Sequence, residues 1–249
     1  MGSVDEDDPR RRLAAALRPL ITLTVANTFE DGVLDEAAGR LEELVADLTA
    51  QAGPKRPRRQ PDISQHAQDF FPTSPIMGMA NPIAPPVRVH VVDGPDGGYR
   101  EIRAEAWFDW AYEGPPTCVH GGVIAETFDE MLGAANMVAG NPGMTGTLTV
   151  RYRRPTPLRT PLRLEARCLG RDGRKIRTWA GIYHGDELTA EADGIFIEVG
   201  PERFLAIAEG NAENADPVVL AAMRAEAQRV GAAADVPGDT QQASEPSAD

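Results

Sequence analysis

Apolar residues recur along this chain with two different periods, and the change from one to the other divides it. Leu13, Leu17, Leu20 and Ile21 fall at helical spacing between Pro9 and Thr28, with Pro19 as a break or kink inside the run. A second helical pattern passes through Val33, Leu34, Ala37, Leu41, Leu44, Val45 and Leu48. Asp31-Gly32 makes a turn between the two, so residues 9–50 are expected to form an α-hairpin. Gly53-Pro54-Lys55-Arg56-Pro57-Arg58-Arg59 has linker composition. The prolines between residues 61 and 86 exclude a regular helix or a central strand, leaving an ordered or semi-ordered lead-in.

From Val87 the period drops to two. Val87, Val89 and Val91 alternate with Arg88, His90 and Val92, and the run closes at a turn over residues 93–98. Tyr99 to Trp110 reads as the partner strand, with Ile102, Ala104, Ala106 and Phe108 on one face. Further strand-like runs cover 145–153, 161–169, 175–184 and 188–199, separated by short turns rich in Gly, Pro and Asp. One long helix interrupts this series. On a 100° wheel starting at Val123, the residues Ile124, Phe128, Met131, Leu132 and Ala135 share an apolar face, and Glu126, Asp129, Glu130 and Gly133 share the other. The order β-β-α-β-β-β-β predicts an α+β protein with the helix laid on one face of an antiparallel sheet. Weak helical signals return at 201–231, and the polar, acidic stretch 237–249 is expected to be disordered. The expected divisions are a helical extension and linker at 1–60, the main domain at 61–205, and a C-terminal helix with an acidic tail at 206–249. Residues 1–60 and 237–249 carry no motif and are expected to be dispensable for any chemistry.

Composition narrows the function. A net charge of −13 argues against nonspecific nucleic-acid binding, and the basic cluster at 55–59 reads as a solvated linker. Cys118 and Cys168 follow no metal or disulfide spacing, which makes a reducing compartment the default and leaves no metal or other cofactor to expect. There is no apolar run of 18 residues, and Met1 to Asp8 is acidic where a signal peptide is basic. A cytoplasmic protein without membrane insertion is expected.

The candidate chemistry lies where the Pro/Gly-rich turn Pro115-Pro116-Thr117-Cys118-Val119-His120-Gly121-Gly122 enters the central helix. Free backbone N–H groups and the positive dipole end at this helix start can receive a developing negative charge. Asp129 follows Gly122 by two turns, on the same side of the helix and about 10 Å along the axis. That gap is too long for both groups of one chain to hold one reacting carbonyl. The geometry requires a second copy of the chain.

The stretch from about 75 to 200 resembles the hotdog-fold acyl-CoA thioesterases of the HGG type, in their PaaI-like and THEM-like branches. The resemblance rests on Glu113-Gly114-Pro115-Pro116, on His120-Gly121-Gly122, and on Asp129-Glu130 nine and ten residues after the histidine. It continues in Met144-Thr145, in Tyr152-Arg153-Arg154-Pro155-Thr156-Pro157-Leu158 and in Gly173-Arg174-Lys175. It implies a homodimer, or a dimer of dimers, with an acyl-CoA bound between subunits and an antiparallel sheet wrapped around one long helix. It further implies Gly121 as oxyanion donor, Asp129 of the other subunit as nucleophile or base, and Thr145 as a hydroxyl holding water or carboxylate. His120 either caps the turn or transfers a proton. Gly122 is placed beside the substrate. Arg154, Arg174 and Lys175 either grip the coenzyme A phosphates or are exposed edge charges. Several such enzymes carry Asn or Gln six residues before the histidine, where this chain has Gly114. The alternative to a hydrolase is a non-hydrolytic hotdog module that binds acyl-CoA or acyl carrier protein as a sensor or scaffold.

Overall fold

The computed structural model describes residues 8–53, 72–85 and 87–211, and further on 217, 220, 221, 223–225, 227 and 228. The expectations for residues 1–7, for the basic cluster at 55–59 and for the tail at 237–249 fall outside these. Among the described residues, 8–52 and 72–198 form one compact unit, and those from Val199 onward belong to another.

The sheet of the first unit follows from the period-two pattern. Strands β1 (Arg88–Val92), β2 (Glu101–Ala106), β3 (Gly143–Tyr152), β4 (Leu162–Asp172), β5 (Lys175–His184) and β6 (Glu187–Glu198) pair antiparallel in the order β1-β2-β4-β5-β6-β3. On β4 the side chains of Leu162, Leu164, Ala166 and Cys168 are buried while Arg163 and Arg167 are exposed. On β5 the buried row is Ile176, Thr178, Ala180 and Ile182. The second strand is shorter than its apolar pattern predicts. After β2 ends, Asp109 accepts a hydrogen bond from the Trp110 N–H at 2.9 Å and caps a 3-10 turn over Trp110–Tyr112.

The central helix covers the inner face of the sheet. Helix α3 (Gly121–Val138) buries Ile124, Phe128, Met131, Leu132 and Ala135, all of the apolar face read from the wheel. Burial of each large side chain contributes about 1.5–3 kcal/mol. The helix ends in a Schellman arrangement, with the Asn141 N–H donating to Asn136 O and Gly140 N–H to Met137 O, and with Gly140 at φ +74°.

Strand β3 is a sheet edge, ten residues long. Arg151 pairs with Asp193 and Arg153 with Glu191, which ties β3 to β6. Hydrogen bonds from the Arg153 guanidinium, then from the Trp179 indole N–H at 3.1 Å, hold the Glu191 carboxyl below its usual range.

Both N-terminal helices are present. Helix α1 (Pro9–Ala26) starts at an Asp8 cap and runs through Pro19 without a break. Pro19 is exposed, so its ring and missing N–H face outward. The sequence sets a boundary near residue 60, yet α1 is fastened to residues beyond it. Arg18 donates from Nε to Ala84 O at 3.0 Å, and from Nη2 to Met79 O at 2.9 Å, Asn81 O at 3.0 Å and Gly78 O at 3.4 Å. Gly78 O and Asn81 O also accept the backbone N–H groups of Asn81 and Ala84, whereas Met79 O and Ala84 O have the guanidinium as their donor among the described residues. Helix α2 (Val33–Ala50) buries none of its side chains. In the second unit, helix α4 (Pro201–Gly210) crosses the expected division at 205, and its Glu209 pairs with Arg224 at 2.8 Å.

Replacing Arg18 with Ala leaves the part-buried Met79 and Ala84 carbonyls without a donor among the described residues. The expected loss is about 2–3 kcal/mol, or roughly 5–10 °C in melting temperature for a unit of this size, measured by thermal unfolding. An unchanged melting temperature would show that α1 is the loose appendage its sequence position suggests.

Candidate functional site

The turn leading into α3 is built from its own side chains. Glu113 Oε1 accepts from the Thr117 N–H at 2.7 Å, and Thr117 sits at φ +67°. The Gly114 N–H donates to Cys118 O, and the Val119 N–H to Thr156 O. Gly114 is pressed against the histidine: a Cβ there would lie 2.7 Å from His120 Cα. This explains why the chain carries no Asn or Gln at that position. The side chain and the present turn cannot coexist.

His120 is the N-cap of α3, and its Nδ1 accepts from the Gly122 N–H at 2.9 Å. That acceptor role requires the neutral ring with its proton on Nε2. Of the two readings of His120, the structure contains the capping contact. The Gly122 N–H is consequently engaged within the turn. Among the described residues no oxygen accepts from the Gly121 N–H, which leaves it a free donor in the first turn. The Gly121 carbonyl is held from the other side by the Tyr152 hydroxyl, which donates to it at 2.8 Å.

Asp129 is exposed on the polar face of α3, and the Thr145 hydroxyl donates to its Oδ1 at 2.7 Å. A bulge between Thr145 and Thr147 shifts the pairing of β3 with β6 at this point. Asp129 and Gly121 are thus both tied to β3, near its opposite ends: Thr145 holds the carboxylate and Tyr152 holds the glycine turn. Within one chain they do not converge, as the spacing along the helix required.

The three cations also fail to converge in one chain. Arg154 follows β3 and pairs with Glu187 at 2.9 Å, at the start of β6. Arg174 and Lys175 lie beside Glu198 and Ile197, at the end of β6. The intervening strand spans roughly 35 Å.

Two contributors escaped the sequence reading. Tyr152 stands in the quoted Tyr-x-Arg-Pro exit but received no role, although a tyrosine ending an edge strand beside a glycine turn was a usable signal. Tyr112 left no signal. Its carbonyl accepts from the His120 N–H at 2.9 Å and its hydroxyl donates to Ile83 O at 2.9 Å. Burial, more than the offsetting Arg18 charge, pushes the Tyr112 hydroxyl up to about 12, so it remains a donor.

A single antiparallel sheet wrapped around one long helix, with a glycine turn at the helix start, is the hotdog fold. The thioesterase superfamily model matches residues 117–191, which run from the glycine turn into β6. The crystal structure of a thioesterase superfamily protein is similar at 31% identity and a TM-score of 0.69, covering 80% of this chain and 95% of that one. The chain belongs to the thioesterase superfamily. It is also similar to acyl-coenzyme A thioesterase THEM4 of Xenopus laevis, at 36% identity over 91 residues, 36% of this chain and 41% of the relative. The same protein of Bos taurus is 32% identical over 93 residues, 36% of this chain and 38% of the relative. The matched stretch therefore spans about two fifths of these curated relatives. No helix of the described residues is long and apolar enough to cross a membrane.

The Thr145–Asp129 contact generates a prediction for any reaction that uses the carboxylate. Thr145→Ala should lower turnover about tenfold, the effect of losing a hydrogen bond to a charged group, and Thr145→Ser should restore it. Because the pair is exposed, melting temperature should hardly move. Wild-type turnover in the Ala variant, measured under saturating substrate, would remove Thr145 from the site.

Proposed function

We propose that this chain hydrolyses an acyl-CoA thioester to the free acid and coenzyme A, as a homodimer or dimer of dimers with the site shared between subunits. One observation carries the proposal: β3 holds Asp129 near one end, through Thr145, and the Gly121 turn at the other, through Tyr152. An antiparallel pairing of β3 with a second β3 reverses the two ends. The carboxylate of one chain is then brought beside the glycine turn of the other. The same reversal brings Arg154 of one chain towards Arg174 and Lys175 of its partner, where together they can receive coenzyme A phosphates. The edge of β3 has the length for such pairing; its exposed Thr145, Gly146, Thr147 and Thr149 carry no charge, and its Arg151 is paired with Asp193.

The chemistry follows from these groups. Attack on the thioester carbonyl places negative charge on its oxygen, and the Gly121 N–H at the helix start is a fixed donor for that charge. Asp129 of the partner takes a proton from the water that attacks the carbonyl carbon, or attacks that carbon itself to form a mixed anhydride that water then hydrolyses to the free acid. Collapse of the tetrahedral intermediate breaks the carbon–sulfur bond and expels coenzyme A. His120 keeps the donor aimed by capping the next N–H. The named activity of the THEM4 relatives supports the same substrate class.

A panel of acyl-CoA substrates assayed for released thiol tests the reading. At least one substrate should turn over, and Asp129→Asn should remove at least two orders of magnitude while the protein stays folded. A panel with no turnover but with measurable acyl-CoA binding would instead favour the non-hydrolytic module. An active Asp129→Asn variant would dismiss the role of the carboxylate.

A further inference from the structure

Helix α2 is amphipathic, and none of its apolar side chains is buried among the described residues, Ala37 and Leu41 being half-buried. Leu34, Ala37, Leu41, Leu44 and Leu48 recur at alternating steps of three and four, a heptad seam with Ala38 and Val45 widening one flank. Leu34, Leu44, Val45 and Leu48 are 48, 44, 61 and 49% exposed. The opposite side carries Asp35, Glu36, Glu42 and Glu43. Most helical stability in proteins comes from packing an amphipathic face, so a seam of this kind calls for a partner.

We propose that the partner is α2 of a second copy, packed antiparallel. In that orientation Leu41 faces the partner's Leu44 and Ala37 faces the partner's Leu48, a small residue against a large one in each outer layer. The remaining flank of the seam carries Arg40 and Asp47, of opposite charge. Antiparallel packing with Leu41 opposite the partner's Leu44 puts Arg40 and the partner's Asp47 on the same flank, about 3 Å from level and within reach of an ion pair, and by symmetry forms the pair twice. Neither residue has an ion-pair partner among the described residues. Parallel packing would place Ala37 against itself, leaving a void, and would put Arg40 beside Val45. Charge and shape therefore select the antiparallel copy. The pairing is independent of the chemistry proposed above, and it adds a second contact between chains beside the sheet edge.

Cysteine cross-linking reads the register. In chains with Cys118→Ser and Cys168→Ala, Leu41→Cys is placed in one and Leu44→Cys in another carrying a mass tag, and the two are co-expressed and oxidised. The expected result is a disulfide-linked pair made of one chain of each kind, with neither variant linking to itself. Arg40→Asp should reduce the yield several-fold, and adding Asp47→Arg to the same chain should restore it. A Leu41→Cys chain that links to itself would mean a parallel pair and overturn the proposal. No link in the co-expressed sample, with both chains folded by circular dichroism, would mean that the seam is covered by its own chain or by a different protein, and would overturn it too.

Discussion

The site depends on one strand being tied to one helix at two separate points. The Thr145 hydroxyl fixes the Asp129 carboxylate, and the Tyr152 hydroxyl fixes the Gly121 carbonyl. Both ties come from β3, whose other side is a free sheet edge. A helix rises only about 1.5 Å per residue and keeps Asp129 two turns away from Gly121, so no rearrangement of one chain brings them together. A two-fold operation beside β3 does so without moving either group within its own chain. In the proposed dimer, assembly and chemistry are the same event, since the strand proposed to pair is also the strand that holds both groups.

Behind the glycine turn stands a chain of polar contacts that reaches the N-terminal helix. Arg18 collects the carbonyls of the proline-rich stretch, Tyr112 donates to Ile83 in the same stretch, and the Tyr112 carbonyl receives the His120 N–H. Helix α1 is thereby connected to the turn that carries the Gly121 N–H. Helix α2 behaves differently, burying nothing and offering its seam outward. The two halves of one expected hairpin differ: α1 is fastened to the proline-rich stretch through Arg18, while α2 buries none of its side chains.

The fold was legible because its signals are local and periodic. The wheel starting at Val123 named the buried face of α3, and the alternating runs named all six strands. Where the reading ran long, at Tyr99 to Trp110, a side-chain cap at Asp109 ended the strand, which no hydrophobic pattern reports. In the site, the separation of Asp129 from Gly121 within one chain was legible from spacing along one helix. The hold of Tyr152 on Gly121 and the anchoring by Arg18 were not, because the partners stand 31 and more than 60 positions apart. The separation of Arg154 from Arg174 and Lys175 was hidden for the same reason, since it depends on the register of β6 between its neighbours.

The shared site is tested most directly by mixing two inactive variants. Asp129→Asn removes the carboxylate, and Gly121→Val crowds the oxyanion position. In a mixed dimer one site carries both lesions and the other carries neither. After subunit exchange, half the dimers are mixed and each has one intact site, so about a quarter of wild-type acyl-CoA hydrolysis should return. Recovery near zero, with exchange confirmed by mass, would place both groups in the same chain and contradict the account.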